Sequence, residues 1–115
     1  MRFVKAARAA ACIGLLAGCA PQLSETGLAA SREALKGSPA LQQKQVSICV
    51  QKIRQNPSKV QDIATLTNLP ASRAPEVFCE RFLTATMDGR LNYAQYLEAR
   101  KGSSTPELVR IAQGR

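Results

Sequence analysis

The chain has 115 residues, with 16 Lys plus Arg against 8 Asp plus Glu and a formal net charge of +8. That length allows one domain. The absence of His and Trp removes imidazole general bases, Ser–His and Cys–His catalytic pairs and His-ligated zinc in one step.

Arg2, Lys5 and Arg8 form a basic start, Ala9 to Ala17 is an apolar run interrupted by Gly14, and small residues lead to Cys19. That is the layout of a secretory signal peptide over residues 1–18. The apolar run is about half of what a membrane-spanning helix needs. Leu16-Ala17-Gly18-Cys19 resembles the lipobox of bacterial lipoprotein precursors and matches that family's pattern throughout. The resemblance covers little beyond Cys19 and leaves the mature domain unassigned. It implies a diacylglycerol on the Cys19 thiol, cleavage that makes Cys19 the new N-terminus, and acylation of its amine. Two or three acyl chains give stable anchoring where one alone is marginal. Ala20 stands where an Asp retains enterobacteria-like lipoproteins in the inner membrane. The resemblance therefore implies the outer membrane, with the domain facing the periplasm.

Of the remaining cysteines, Cys12 is discarded with the signal, which leaves Cys49 and Cys79. A pair in a small exported domain reads as one disulfide. The alternatives are two free buried thiols, or a two-Cys metal site that lacks its other ligands. Closing a loop of about 30 residues stabilises a fold by about 3.5 kcal/mol in the chain-entropy model. No Cys-x-x-Cys spacing supports a redox-active pair.

Residues 19–39 read as a lipidated N-terminus and tether. Within them Ser24 to Lys36 carries Leu28, Ala29, Ala34 and Leu35 and is either a short helix or part of the tether. Gly37-Ser38-Pro39 stops it. A helical domain is expected over residues 40–115. Leu41 to Gln55 places Val46, Cys49, Val50 and Ile53 on one helical face, and Asn56-Pro57 ends it. Ser58 to Leu69 opens on Ser58-Lys59-Val60-Gln61, a capping box, and buries Val60, Ile63, Ala64 and Thr67. Leu69-Pro70 closes it. The next helix opens at Ser72 or Ala74 with Pro75 in its first turn, and carries Phe78, Cys79, Phe82, Leu83 and Thr86 in one band. Both cysteines thus lie on apolar faces of different helices. Asp88-Gly89 breaks the pattern. Asn92 caps a helix to about Lys101 with Tyr93, Tyr96 and Leu97 on one side, and Thr105-Pro106-Glu107 caps a last one with Leu108, Ile111 and Ala112. The expected fold is all-α: a small bundle of four to five short helices with one interhelical disulfide.

Candidate sites are few. The second half of Thr84 to Gln95 resembles an EF-hand loop, with Asp88 and Gly89 at the fifth and sixth places and Leu91 at the eighth. Calcium needs early carboxylates and a closing bidentate Glu, and here Thr84, Thr86 and Gln95 fill those places. A helix–turn–helix corner accounts for Gly89 without a metal. Glu76 and Glu80 form an i, i+4 carboxylate pair, a pattern that serves glycoside hydrolysis but is more common on a solvated face. No phosphate-binding loop is present, and no cofactor or metal is expected. The basic residues are scattered. They favour weak contact with anionic lipid or peptidoglycan, while the exported location disfavours nucleic acid.

The expected role is a non-enzymatic binding, scaffold or assembly module, lipid-anchored in the envelope. Small bundles offer grooves to amphipathic helices. Tyr93 and Tyr96 fit core packing, the more common case, or an interface; if a partner is bound, Tyr93, Tyr96 and Leu97 are the first choice for its contact, with Arg90 and Arg100 as steering charges. Secretin pilotins share this layout of a small helical lipoprotein, and no motif links the chain to them. The competing role is an inhibitor, immunity or exclusion lipoprotein, and a cell-wall hydrolase is the least favoured.

Overall fold

The computed structural model describes residues 22–115, so the signal segment and Cys19 lie outside the described residues. Six helices follow in chain order: α1 (Glu25–Lys36), α2 (Pro39–Arg54), α3 (Pro57–Thr67), α4 (Ala74–Met87), α5 (Tyr93–Arg100) and α6 (Pro106–Gln113). No strand occurs among the described residues, in line with the all-α expectation.

The count exceeds the expected four to five because residues 25–36 form a packed helix. Leu28 and Leu35 are buried, seven residues apart on one stripe, and the Ser24 hydroxyl caps the start by accepting from Gly27 N–H at 3.0 Å. This helix packs on α2 and α4, which decides between the short helix and the tether that residues 24–36 left open. Two further boundaries move for one reason. Ser38-Pro39 and Asn56-Pro57 start helices as well as ending the preceding ones. Ser38 Oγ accepts from Leu41 N–H at 3.1 Å, and Asn56 Oδ1 accepts from Lys59 N–H at 3.4 Å. A proline at the first helical position has φ already set and loses no bond, because that N–H has no helical partner. The capping box at Ser58 is accordingly not formed. Asn56 takes the cap, and the Ser58 hydroxyl donates to Asn56 Oδ1 at 2.9 Å. At the other end of α3, Asn68 turns the chain out of the helix in the left-handed region (φ 56°). That termination comes one residue before the expected Leu69-Pro70 stop.

Helix α4 is the axis of the bundle, in contact with α1, α2, α3 and α6. Two apolar clusters are strung along it. The first joins buried Ile53, Ile63, Ala74 and Cys79, with Val46, Cys49, Val50, Val60, Ala64, Leu69 and Phe78 packed around them. The second joins Ala85, Leu91, Leu108 and Ile111, with Phe82 against them. Phe78 and Phe82, one turn apart on α4, bring their ring centroids to 4.6 Å and link the clusters. The expected disulfide is formed: Cys49 of α2 is bonded to Cys79 of α4, with Cα atoms 6.0 Å apart.

Arginines complete the frame from the side. Arg32 of α1 donates from Nε to Thr86 O in the last turn of α4 at 2.7 Å. Arg81 of α4 donates from Nη1 to Ala112 O in the last turn of α6, also at 2.7 Å. Each cation meets a carbonyl in the last turn of a helix, where the dipole favours positive charge; Thr86 O also accepts from Gly89 N–H at 3.2 Å. Gly114 is shaped by the second contact. Its φ is +76°, which ends α6 in the left-handed region, and a Cβ there would stand 2.9 Å from the Arg81 guanidinium.

Candidate functional site

The tyrosine pair lies on α5, which buries none of its residues fully and packs on α6. Asn92 Oδ1 caps this helix by accepting from Gln95 N–H at 2.9 Å, as its sequence position suggests. Tyr93, Tyr96 and Leu97 are all half-buried, and the two rings stack with centroids 5.9 Å apart. Their hydroxyls are engaged within the chain. Leu23 N–H donates to Tyr96 Oη at 2.9 Å, and Gln22 Nε2 donates to Tyr93 Oη at 3.4 Å. The residues just ahead of α1 are thereby docked onto α5. Arg100 places its guanidinium 6.0 Å from the centre of the Tyr96 ring, within range of a cation–π contact. Arg90 is held elsewhere: its Nε lies 2.6 Å from Glu107 Oε1, tying the 88–92 turn to the start of α6.

A consequence can be measured. Tyr96→Phe removes the acceptor for Leu23 N–H and leaves the ring. We expect a loss of about 1 kcal/mol or less, because the exposed N–H turns to water. Faster hydrogen exchange at Leu23, with the rest of the bundle protected as before, checks this. Global unfolding would show instead that Tyr96 supports the core.

The carboxylate pair is split by its surroundings. Glu76 takes two bonds from Arg54 Nη2, at 2.6 and 2.9 Å, and the same nitrogen reaches Ser72 O at 3.1 Å. That guanidinium holds the Glu76 carboxyl below the usual glutamate range. Its effect is to pin the end of α2 to the start of α4, where no side chain caps the helix. Glu80 is exposed. The EF-hand-like stretch forms a corner: Thr84 to Met87 complete α4, Gly89 turns at φ +79°, and Leu91 N–H returns to Ala85 O at 2.9 Å. Gln95 Oε1, at the closing place, accepts from the Thr105 hydroxyl at 2.7 Å. No group of three or more possible metal ligands occurs among the described residues, and no described helix is long and apolar enough to cross a membrane.

Two hollows flank α4. One, of about 380 Å³, lies against α6 and is lined by Val77, Ala85 and Ile111 together with Glu80, Arg81, Thr84, Asp88, Arg90 and Gly114. Its arginines are committed to Ala112 O and Glu107. The other is a groove of about 570 Å³ between α2 and α4. Its apolar lining is Val46 and Val50 from α2 with Leu83 and Met87 from α4, and its polar lining is Gln42, Gln43, Ser47, Gln51, Glu76, Glu80 and Thr84. Sequence reading assigned Val46, Val50 and Leu83 to the core. All three are half-buried, as is Met87, so each gives one side to the core and one to the groove. The visible signal was the breadth of the apolar band on α4, wider than one neighbouring helix covers. The disulfide joins the same two helices that wall this groove.

No family model, no curated protein and no solved structure matches the chain.

Proposed function

We propose that the chain is a small lipid-anchored protein of the bacterial cell envelope that acts by binding a protein partner rather than by catalysis. The observation that carries this reading is Leu16-Ala17-Gly18-Cys19 at the end of a basic and then apolar leader. A disulfide in so small a domain agrees with an oxidising compartment outside the cytoplasm. Between Cys19 and Leu23 the chain spans at most about 14 Å. An acyl anchor on Cys19 therefore keeps α1 and α5 close to the headgroups, because Leu23 is bonded to Tyr96. Surface anchoring also raises the effective concentration of the domain for any partner on the same membrane. A chain without His, whose carboxylate pair is split between an ion pair and open solvent, offers little for acid–base catalysis and more for recognition.

The test is direct. Intact-mass measurement of the mature protein should show an N-terminal Cys19 with diacylglycerol mass. Cys19→Ser should abolish acylation and leave uncleaved precursor or soluble protein in fractionation. A wild-type mature chain without acyl mass would overturn the anchoring.

A further inference from the structure

We propose that the groove between α2 and α4 is the docking site for an amphipathic helix bearing Lys or Arg, contributed by a protein partner. The proposal rests on reading the chain as a binding module, and it gives that module its contact site and the chemistry of its partner.

Shape is the first argument. Val46 and Val50 are one turn apart on α2, and Leu83 and Met87 are one turn apart on α4. Residues at that spacing stand about 5–6 Å from each other along a helix surface. The groove thus offers two short apolar rails with the rise of an incoming helix whose anchors fall at i, i+3, i+4 and i+7. Met87 adds a flexible side chain that adapts to the anchor it meets.

Charge is the second. Beyond residue 18 the chain carries 13 Lys plus Arg against 8 Asp plus Glu, yet the charged side chains lining this groove are both carboxylates, Glu76 and Glu80. Arg54 occupies Glu76. Glu80 is exposed and has no hydrogen-bond or ion-pair partner among the described residues. It stands at the groove's edge as an acceptor for a cation, so a helix with a basic flank completes it. An acyl chain gains nothing from Glu80, and an anionic headgroup is repelled by it. A second copy of this chain would have to bring one of its own helices, all six of which pack within the bundle.

Rigidity is the third. The Cys49–Cys79 bond ties the two walls together with 6.0 Å between Cα atoms. Fixing the walls before binding removes part of the ordering cost that association otherwise incurs.

The experiment places the photo-crosslinking amino acid benzoylphenylalanine at Ser47, on the groove's lining, in the full chain expressed in its native envelope. The same probe at Ile48, exposed beside it and absent from that lining, serves as control. The crosslinked peptide is sequenced. The expected result is a crosslink from position 47 and not 48, to a segment with apolar residues at i, i+3, i+4 and i+7 and at least one flanking Lys or Arg. Glu80→Lys should cut the yield at least fivefold without changing the amount of protein or its disulfide. Reversing the charge of the crosslinked Lys or Arg should restore it. A crosslink to lipid, to a second copy, or to a segment without a basic flank overturns the proposal, as does no crosslink, or a yield indifferent to Glu80→Lys. Intact mass of the same sample reports acylation of Cys19 independently. The groove and the anchor therefore fail separately.

Discussion

Replacing Cys49 and Cys79 together by Ala is expected to lower the thermal midpoint by roughly 15–25 °C. The two residues are 30 positions apart in sequence, and the bond between them removes about 3.5 kcal/mol of loop freedom from the unfolded chain. A domain of this size has about 5–10 kcal/mol in total, so the loss is a large share. Packing adds a second contribution. Cys79 is 2 % exposed and sits among Ile53, Ile63 and Ala74, and Ala leaves that site underfilled. Melts with and without a thiol reductant separate the two, because reduced thiols keep the volume and lose the crosslink. Reduction alone should account for most of the fall. A midpoint unmoved by reduction would show that helix packing holds α2 on α4 without the bond.

Much of this architecture is legible in the sequence, and the limits have physical causes. The apolar spacing of Val46, Cys49, Val50 and Ile53, and of Phe78, Cys79, Phe82 and Leu83, places both cysteine-bearing faces inward, and the disulfide follows from parity. Thr105-Pro106 is legible as a helix start because Gly102-Ser103-Ser104 precedes it and leaves nothing to end. Ser38-Pro39 and Asn56-Pro57 are the same signal, a capping side chain followed by proline at the first helical position. There it is masked by the helix just before it, so the pair reads as a stop. Helix α1 has only two buried residues, Leu28 and Leu35. Its attachment depends on Arg32 reaching Thr86 O, a tertiary contact with no local pattern. The tyrosine face is ambiguous for a related reason. An aromatic pair on a short helix fits a partner or the chain itself, and the partner of Tyr96 proved to be a backbone N–H remote in sequence. Periodicity marks the groove only through the wide apolar band on α4, because the residues lining it also serve the core.

The second large effect is expected from Ile111→Ala, at about 3 kcal/mol. Ile111 is 2 % exposed and packs with Ala85, Leu91 and Leu108 in the cluster that the disulfide does not staple. Its helix, α6, has eight residues, too few to persist without tertiary support. That support consists of this cluster, packing against α3 and α4, the Arg81 contact to Ala112 O, and the Arg90–Glu107 pair, which is solvent-screened and contributes little. Removing the Ile111 side chain should therefore release α6 first. Helix α5 follows, because its principal packing is against α6. Hydrogen exchange should rise across residues 93–113 before it rises in α2 and α3. The alternative outcome, uniform loss of protection in all six helices, would mean that the Phe78–Phe82 contact and the packing of α6 on α3 couple the clusters into one cooperative unit. The same comparison fixes how the two large effects combine. Independent clusters give additive losses in the chain carrying both Ile111→Ala and the reduced disulfide, whereas a cooperative core gives a combined loss that departs from the sum.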